Sequence, residues 1–372
     1  MISRQLYQII RDDLDYEKAI IIKGARQVGK TTLINDVLGQ SDDVLWVDGD
    51  DPGTRSIWDD ITKDRLNILT ADYQHIVIDE AQRIANIGLT VKMLVDQKQG
   101  KQVFVSGSSS LDLASNMNEP LTGRKWSYDL FPISWNEHKQ SQGLANAINT
   151  LESLLIYGTY PEILTATKRK AQRLSELASS YLYKDILEHA DIRKPAIVGR
   201  LLEALAYQIG SEVSYNELAN MLRVDHETVQ RYIDLLEESY VIYRLKPLSR
   251  NPRKEISTSR KIYFYDNGIR NALINNFNIL DKRNDVGMLW ENFVVTEILK
   301  KERYQQTNSE LYFWRSKTGS EIDLVIKTGE EYRAFEIKYN PKKKGRFSKI
   351  FKEFYHPIST DIINTDNYFE HL

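Results

Sequence analysis

The residues best suited to chemistry lie in one short run near the amino terminus, between Gly24 and Thr31. The run fits the pattern G-x-x-x-x-G-K-[ST] at every fixed position, with Lys30 before the final Thr31. Glycines let the backbone wrap phosphate oxygens, the lysine reaches the β- and γ-phosphates, and the threonine hydroxyl ligates Mg²⁺. The sequence therefore predicts a site for a nucleoside triphosphate and Mg²⁺. The predicted binding residues are Gly24, Ala25, Arg26, Gln27, Val28, Gly29, Lys30, Thr31 and Thr32.

Two acids, Asp79 and Glu80, follow an apolar run at residues 75–78. Asp79 is suited to hold Mg²⁺ through water, complementing Thr31. Glu80 is suited to polarise the water that attacks the γ-phosphorus, which is the work of a general base. Acids at a strand end are also common surface residues, but the preceding phosphate loop favours the catalytic interpretation.

Two further positions could complete a hydrolytic site. Ser106 and Ser108 follow the apolar run 102–105 and could orient water or sense the γ-phosphate, although a Ser/Gly turn closing a strand is the alternative. Arg124 could act as an arginine finger on the nucleotide of a neighbouring subunit in a homo-oligomer, or could be a surface charge. The predicted catalytic residues are thus Glu80, Lys30, Arg124 and Ser106.

These side chains must be positioned by a sheet. The apolar run 19–22 reads as a buried strand before the phosphate loop, and residues 31–38 read as a helix after it. Strands that alternate with helices predict an α/β fold with a parallel sheet, in which ligands bind at the carboxyl ends of the strands. The predicted fold class of residues 1–140 is therefore a P-loop NTPase core.

Taken together, the motifs at residues 24–33, 78–82 and 105–109, with Leu-Thr-Gly-Arg at 121–124 and Leu-Phe-Pro-Ile-Ser at 130–134, resemble those of prokaryotic AAA+-superfamily ATPases. The branch concerned carries a C-terminal domain of unknown function, and the resemblance covers essentially the whole chain. It implies ATP as the nucleotide. It also implies a five-stranded parallel core, in which the strand bearing Ser106 lies between the phosphate-loop strand and the strand bearing Asp79 and Glu80.

Residues 141–257 are predicted to be helical and to end in a winged helix-turn-helix at about 211–257. The second helix, from His226, carries many carboxylates that would repel DNA phosphates, so base readout by this helix is doubtful. The following wing is basic and suits contact with a phosphate backbone, whereas protein interaction is the alternative. Its basic residues are Arg244, Lys246, Arg250, Arg253, Lys254, Arg260 and Lys261.

Residues 258–372 contain a second candidate site. The spacing of Asp323 and the tripeptide from Glu336 to Lys338 is that of restriction-endonuclease-like PD-(D/E)xK folds, in which two carboxylates hold Mg²⁺ and the lysine activates water. Glu291 could add a carboxylate from a helix. Such residues at strand ends are also common without any function. The appended domain of the resembled family has this nuclease-like α/β fold, which supports the assignment. A basic patch that suits a polyanion such as DNA follows: Lys342, Lys343, Lys344, Arg346, Lys349 and Lys352.

The composition of the chain limits the kinds of site and partner that it can have. The chain has 372 residues, a formal net charge of −2 and no cysteine, so disulfides and thiolate metal sites are excluded and any contact with nucleic acid must be local. No apolar run reaches the ~18 residues of a membrane span and no signal peptide is evident, so we expect a cytoplasmic protein without membrane contact.

Three functional hypotheses follow from these residues. The first is an ATPase that couples its nucleotide state to DNA or partner binding through the winged helix and the C-terminal domain. The second is an ATP-gated, Mg²⁺-dependent nuclease. The third is a signalling switch that holds ATP and acts through protein partners, although such a switch has no need of a water activator such as Glu80.

Overall fold

The computed structural model describes residues 2–14, 17–39, 41–97, 100–107, 120–189, 195–249, 260–316 and 319–372, with the side chains of residues 180–189 left out. The chain forms two compact units. The first comprises Met1–Pro132 with Glu188–Ala190 and Glu238–Tyr240, and the second comprises Ile133–Leu187, Asp191–Glu237 and Val241–Leu372. The domain boundaries at residues 140 and 257 stay predictions.

The first unit alternates strands and helices. Its elements are α1 (Gln5–Asp12), β1 (Ala19–Lys23), α2 (Lys30–Leu38), β2 (Val44–Asp48), α3 (Pro52–Trp58), α4 (Lys63–Thr70), β3 (His75–Asp79), a 3₁₀ turn (Ala81–Arg83), α5 (Ile87–Asp96), β4 (Gln102–Gly107) and β5 (Lys125–Asp129).

The strands of the first unit pair in the order β2-β3-β4-β1-β5, and every pairing among the described residues is parallel. The expected place of β4, between β1 and β3, is confirmed. Parallel strands are covered on both faces, which explains the continuous apolar runs in β1 and β3. Ile20 and Ile22 in β1 and Ile78 in β3 are fully buried. All carboxyl ends meet at one edge, where the phosphate loop follows β1.

The second unit combines helices with a mixed sheet. Its elements are α6 (Trp135–Gln142), α7 (Leu144–Asn149), α8 (Leu151–Tyr157), α9 (Pro161–Thr165), α10 (Lys170–His189), α11 (Pro195–Tyr207), β6 (Glu212–Val213), α12 (Tyr215–Leu222), α13 (His226–Glu238), β7 (Ile242–Pro247), β8 (Arg260–Phe264), α14 (Asn267–Leu273), a 3₁₀ turn (Leu280–Lys282), α15 (Val286–Tyr304), β9 (Glu310–Arg315), β10 (Glu321–Thr328), β11 (Glu331–Ile337), α16 (Lys349–Tyr355), β12 (Ser359–Ile363) and α17 (Tyr368–His371).

Within the described residues this unit has a seven-stranded sheet of order β12-β11-β10-β9-β7-β8-β6. Strands β9, β10 and β11 are antiparallel neighbours, and β12 joins β11 in parallel. The long helix α15 is buried on most of its surface, including Trp290 and Val294, which fits a helix that is apolar on several sides. This packing places Glu291 of α15 in the same unit as the acidic residues of β10 and β11.

Helices α12 and α13 flank a short turn in which Arg223 has a left-handed backbone, with φ of 57°. Ser214 caps α12 by accepting a hydrogen bond from the backbone N–H of Glu217, and Asp225 caps α13 in the same way from Thr228. Strands β7 and β8 then form an antiparallel pair, with β6 on the outer side of β8. The assignment of residues 211–257 as a winged helix-turn-helix module stays a prediction.

Candidate nucleotide site and C-terminal charge cluster

The loop between β1 and α2 has the geometry of a phosphate cradle. A Cβ atom at Gly24 would lie 2.2 Å from the carbonyl oxygen of Leu130, so only glycine fits there. Gly29 has a φ of 98°, which side chains rarely adopt, and it leads directly into α2. Among the described residues no side chain caps this helix, so its first N–H groups are open to an anion.

Lys30 lies inside the loop and is only 5% exposed. Its Nζ donates hydrogen bonds to the carbonyl oxygens of Gly24, at 3.1 Å, and Ala25, at 2.9 Å. The phosphate oxygens of a bound nucleotide could replace these two carbonyl oxygens as acceptors for the ammonium group of Lys30. The loop is therefore already wrapped around the positive charge that the motif requires.

Two predicted residues from separate segments, Thr31 and Ser106, meet at a third, Asp79. The hydroxyl of Thr31 donates to Asp79 Oδ2 at 2.6 Å, and the hydroxyl of the buried Ser106 donates to Asp79 Oδ1. Thr31 is exposed, so its oxygen remains accessible. Hard oxygen donors of this kind suit Mg²⁺, and the residues thus fit the predicted ion. Ser108, the alternative to Ser106, lies outside the described residues.

Glu80 follows Asp79 in a left-handed backbone conformation, with φ of 47°. Its Oε2 accepts a hydrogen bond of 2.6 Å from the side-chain amide of Gln82, which fixes the direction of the carboxylate. The chain at Gly49 passes so close that a Cβ there would lie 2.3 Å from the carbonyl oxygen of Glu80. The backbone at Glu80 is thus held at the carboxyl edge of the sheet.

One residue that supports the loop has no signal in the sequence. Arg4 precedes α1 and is 8% exposed, and its guanidinium donates to the carbonyl oxygens of Val28, at 2.7 Å, and Phe131, at 2.6 Å. These contacts tie the phosphate loop to the segment after β5. An isolated arginine belongs to no motif, so sequence reasoning had no means of finding it.

Arg124 lies away from the loop residues of its own chain. It directly precedes β5, whose first residue pairs with Ala19 at the amino end of β1, whereas the loop follows the carboxyl end of β1. Its Nε contacts Asp96 Oδ1 at 2.5 Å, and both side chains are more than one third exposed. The structure therefore does not bring Arg124 together with Lys30, Asp79 and Glu80 within one chain, and action on a neighbouring subunit stays a prediction.

The predicted C-terminal residues of β10 and β11 do meet. Lys338 Nζ lies 2.9 Å from Asp323 Oδ2 and 2.8 Å from Glu336 Oε2, and the N–H of Ile337 also donates to Asp323 at 2.7 Å. Burial raises the pKa of Glu336, and the charge of Asp323 raises it further, against the opposing effect of Lys338. The ammonium group of Lys338 thus bridges the two carboxylates.

Glu291 is engaged elsewhere in this region. It accepts hydrogen bonds from Lys261, at 3.1 Å, and from the hydroxyl of Tyr263, at 2.7 Å. Lys261 also contacts Glu321 at 2.5 Å. Burial alone would lower the pKa of Lys261, but these two carboxylates outweigh it and raise that pKa. Within the described residues, no group of three or more acidic or histidine side chains is arranged to hold a metal ion, and Mg²⁺ binding by Asp323 and Glu336 stays a prediction.

The predicted basic wing is less basic on its surface than its sequence suggests. Lys261 is 4% exposed and is held by two glutamates, and Arg244 contacts Asp234 and Glu237. Lys246 is exposed. Arg250, Arg253 and Lys254 lie outside the described residues. Arg244 and Lys261 thus serve internal ion pairs, which corrects the expectation that both lie on a free phosphate-binding surface.

Three family models match successive parts of the chain. Residues 16–139 match the AAA domain family, residues 148–279 match a domain of unknown function (DUF8612), and residues 286–368 match a second domain of unknown function (DUF4143). The expected AAA-type ATPase core and the C-terminal domain of unknown function are thereby confirmed. The nuclease-like fold of the C-terminal domain stays a prediction.

Two relatives match most of this chain. The chain is 28% identical over 337 residues to an uncharacterized protein of Mycobacterium tuberculosis, which covers 88% of this chain and 72% of the relative. It is 24% identical over 385 residues to an uncharacterized protein of Methanocaldococcus jannaschii, which covers 96% of this chain and 84% of the relative. The similarity therefore spans both units.

Solved structures with similarity include a Walker-type ATPase of Pyrococcus abyssi, with a TM-score of 0.49 and 15% identity over 74% of this chain and 96% of that chain. Another is Cdc6p of Pyrobaculum aerophilum, with a TM-score of 0.30 and 13% identity over 74% of this chain and 95% of that chain.

Among the described helices none has an apolar stretch long enough to cross a bilayer.

Proposed function

Because the chain carries an AAA-type P-loop ATPase domain over residues 16–139, we propose that it binds ATP with Mg²⁺ and hydrolyses it. The observation that carries this proposal is the meeting of Thr31, Asp79 and Ser106 beside the loop that encloses Lys30. A hydroxyl, a carboxylate and an enclosed ammonium at the carboxyl edge of a parallel sheet are the groups that triphosphate chemistry needs.

Each residue has a defined part in binding. The open N–H groups at the start of α2 receive phosphate oxygens, and Lys30 exchanges its carbonyl acceptors for the β- and γ-phosphates. Thr31 and Asp79 would hold Mg²⁺, which when bound offsets the negative charge of the phosphates. Ser106 keeps the Asp79 carboxylate turned towards Thr31 by occupying its other oxygen.

Glu80 is the proposed general base. Its carboxylate is oriented by the Gln82 amide, and it directly follows the residue proposed to hold Mg²⁺. From this place it can accept a proton from the water that attacks the γ-phosphorus, which splits ATP into ADP and phosphate. A protein that only holds ATP has no use for such a group, so Glu80 favours turnover over a passive switch.

Calorimetric titration with ATP and Mg²⁺ tests the binding site. Lys30→Ala removes the enclosed ammonium and is expected to weaken ATP binding by at least about tenfold, the equivalent of one charge-assisted hydrogen bond. Lys63→Ala, at an exposed position that begins α4, is the matched control and should bind as the wild type does. Equal affinity of Lys30→Ala and the wild type would refute the phosphate-loop assignment.

We further infer that nucleotide state is coupled to DNA or a protein partner through the second unit. The support is the succession of α12, α13 and the β7–β8 pair, which is the element order of a winged helix-turn-helix. Acidic residues on α13 and the internal ion pairs of Arg244 and Lys261 favour a protein contact for this part of the unit. DNA affinity that is the same with ATP and with ADP would argue against coupling to DNA.

The nuclease alternative rests on the meeting of Asp323, Glu336 and Lys338. Against it, Lys338 already lies between the two carboxylates, and Lys261 and Tyr263 engage Glu291. We therefore route no catalytic step through a metal at this cluster. Mg²⁺-dependent cleavage of DNA that is lost in Asp323→Ala would establish the alternative.

A further inference from the structure

A strongly one-sided charge lies in residues 342–352, called here the basic segment. Six of its eleven residues are Lys or Arg and none is acidic, although the whole chain has a net charge of −2. The segment runs from the turn after β11 through the first half of α16. Its charge is therefore a local feature that the overall composition conceals.

The cations of the basic segment meet no counter-charge in the part of the chain that the structure describes. All six are exposed, and among the described residues none of them forms an ion pair. The acid closest in sequence on its amino side, Glu336, already contacts Lys338 at 2.8 Å. On the other side the exposed Glu353 is the first acid to follow. Six like charges held together without counter-charges favour an anionic partner.

The segment is anchored to the sheet rather than loose. Asn340 turns the chain by accepting hydrogen bonds from the N–H groups of Lys342, at 2.9 Å, and Lys343, at 3.0 Å. A Cβ at Gly345 would lie 3.0 Å from the Cβ of Glu336, so the backbone passes directly over that residue. Phe351 is fully buried and packs edge-on against Trp314 at 5.3 Å between ring centroids. The cations are thus presented by a fixed backbone.

From this arrangement we propose that the basic segment binds the phosphate backbone of a nucleic acid. Because the backbone of the segment is anchored, binding loses less conformational entropy. Its cluster of cations also matches the repeating negative charges of a polyanion. Phe354 and Ile350 are 50% and 43% exposed on the neighbouring turns of α16, which offers an unstacked base an apolar contact. A single strand combines accessible phosphates and bases, so it is the expected ligand.

Fluorescence anisotropy with a labelled single-stranded oligothymidylate tests the proposal. The triple variant Lys342→Gln, Lys343→Gln, Lys344→Gln should bind at least about tenfold more weakly than the full-length wild type at low salt. It should also lower the slope of log affinity against log salt by about 2, since each phosphate contact contributes about 0.7 for a single strand. The change in slope reports how many phosphates these lysines neutralise.

The matched control neutralises three exposed lysines elsewhere: Lys63→Gln, Lys168→Gln and Lys282→Gln. It makes the same change in net charge and should leave affinity and slope near those of the wild type. Equal binding by the wild type and the segment variant would overturn the proposal, as would an equal loss in both variants. Binding of anionic lipid vesicles but not of the oligonucleotide would also overturn it and assign the segment to a membrane surface. Measured without nucleotide, Lys30→Ala, which lies in the other unit, should leave this binding intact, so the result stands apart from that of the ATPase test.

Discussion

The carboxylate of Asp79 receives three hydrogen bonds from residues of the predicted site. The hydroxyls of Thr31 and Ser106 and the backbone N–H of Glu80 all donate to its carboxylate. Three donors leave the carboxylate little freedom to rotate. The carboxylate of Asp79 is therefore a fixed point that positions the exposed hydroxyl of Thr31 and the backbone of Glu80.

Ser106→Ala removes one of these three donors without changing the size of the buried side chain greatly. We expect kcat for ATP hydrolysis to fall about tenfold, the value of a hydrogen bond to a charged group, while ATP affinity changes little. Steady-state phosphate release and calorimetry measure the two quantities. Ser56→Ala, on the exposed α3, is the control. A kcat equal to that of the wild type would show that Asp79 does not depend on Ser106.

The elements of the first unit follow from patterns that are local in sequence. Continuous apolar runs predict the buried strands β1, β3 and β4, and the glycines predict the tight turn into α2. The place of β4 between β1 and β3 came from the resemblance to AAA+ ATPases, because the pairing of distant strands leaves no mark in a single run of residues. The site at the carboxyl edge was predictable from these local patterns, because its residues follow directly after the strands that the patterns mark.

Interactions between distant residues were not predictable. Lys261 reads as a basic wing residue, yet its partners Glu291 and Glu321 lie 30 and 60 positions further along the chain. The charge pattern near Lys261 does not reveal those partners. Arg4 is hidden likewise, because its acceptors are backbone carbonyls of Val28 and Phe131, which have no sequence signature.

Arg4 gives a prediction for the segment that precedes α1. Arg4→Ala leaves the buried carbonyl oxygen of Val28 without this donor, at a cost of about 1–3 kcal/mol that falls on the phosphate loop. We expect ATP affinity to fall by about tenfold and Arg4→Lys to restore part of it. Arg11→Ala, on the exposed side of α1, is the control and should bind ATP normally. A loss of thermal stability with unchanged ATP affinity would mean that Arg4 supports the fold alone.

On the scale of the whole molecule, two compact units carry two different kinds of site. The first has an oxygen-rich site at a parallel sheet edge, and the second has an unneutralised basic segment next to a closed charge cluster. The proposed reaction consumes ATP, whereas the proposed ligand of the second unit is a polyanion. Under the proposed coupling, ATP turnover would change how the second unit holds its ligand.

Arg124 provides a test of assembly. Its ion pair with Asp96 is exposed and worth about 0–1 kcal/mol, so the guanidinium is easily released towards a neighbouring subunit. If it acts in trans, the specific ATPase activity of the wild type should rise with protein concentration, and Arg124→Ala should lose about a thousandfold in kcat. Arg65→Ala, exposed on α4, is the control. A monomer with full activity would contradict a finger in trans.

The measurement that bears most directly on the central claim is phosphate release from ATP and Mg²⁺ by the wild type and by Glu80→Gln, with ATP affinity measured in parallel. The wild type should turn over, and Glu80→Gln should bind ATP equally well while its kcat falls by about 10²–10⁴, the usual contribution of a general base. Glu330→Gln, at an exposed turn of the second unit, is the control. Turnover by Glu80→Gln at the wild-type rate, or tight ATP binding by the wild type without any phosphate release, would contradict the account.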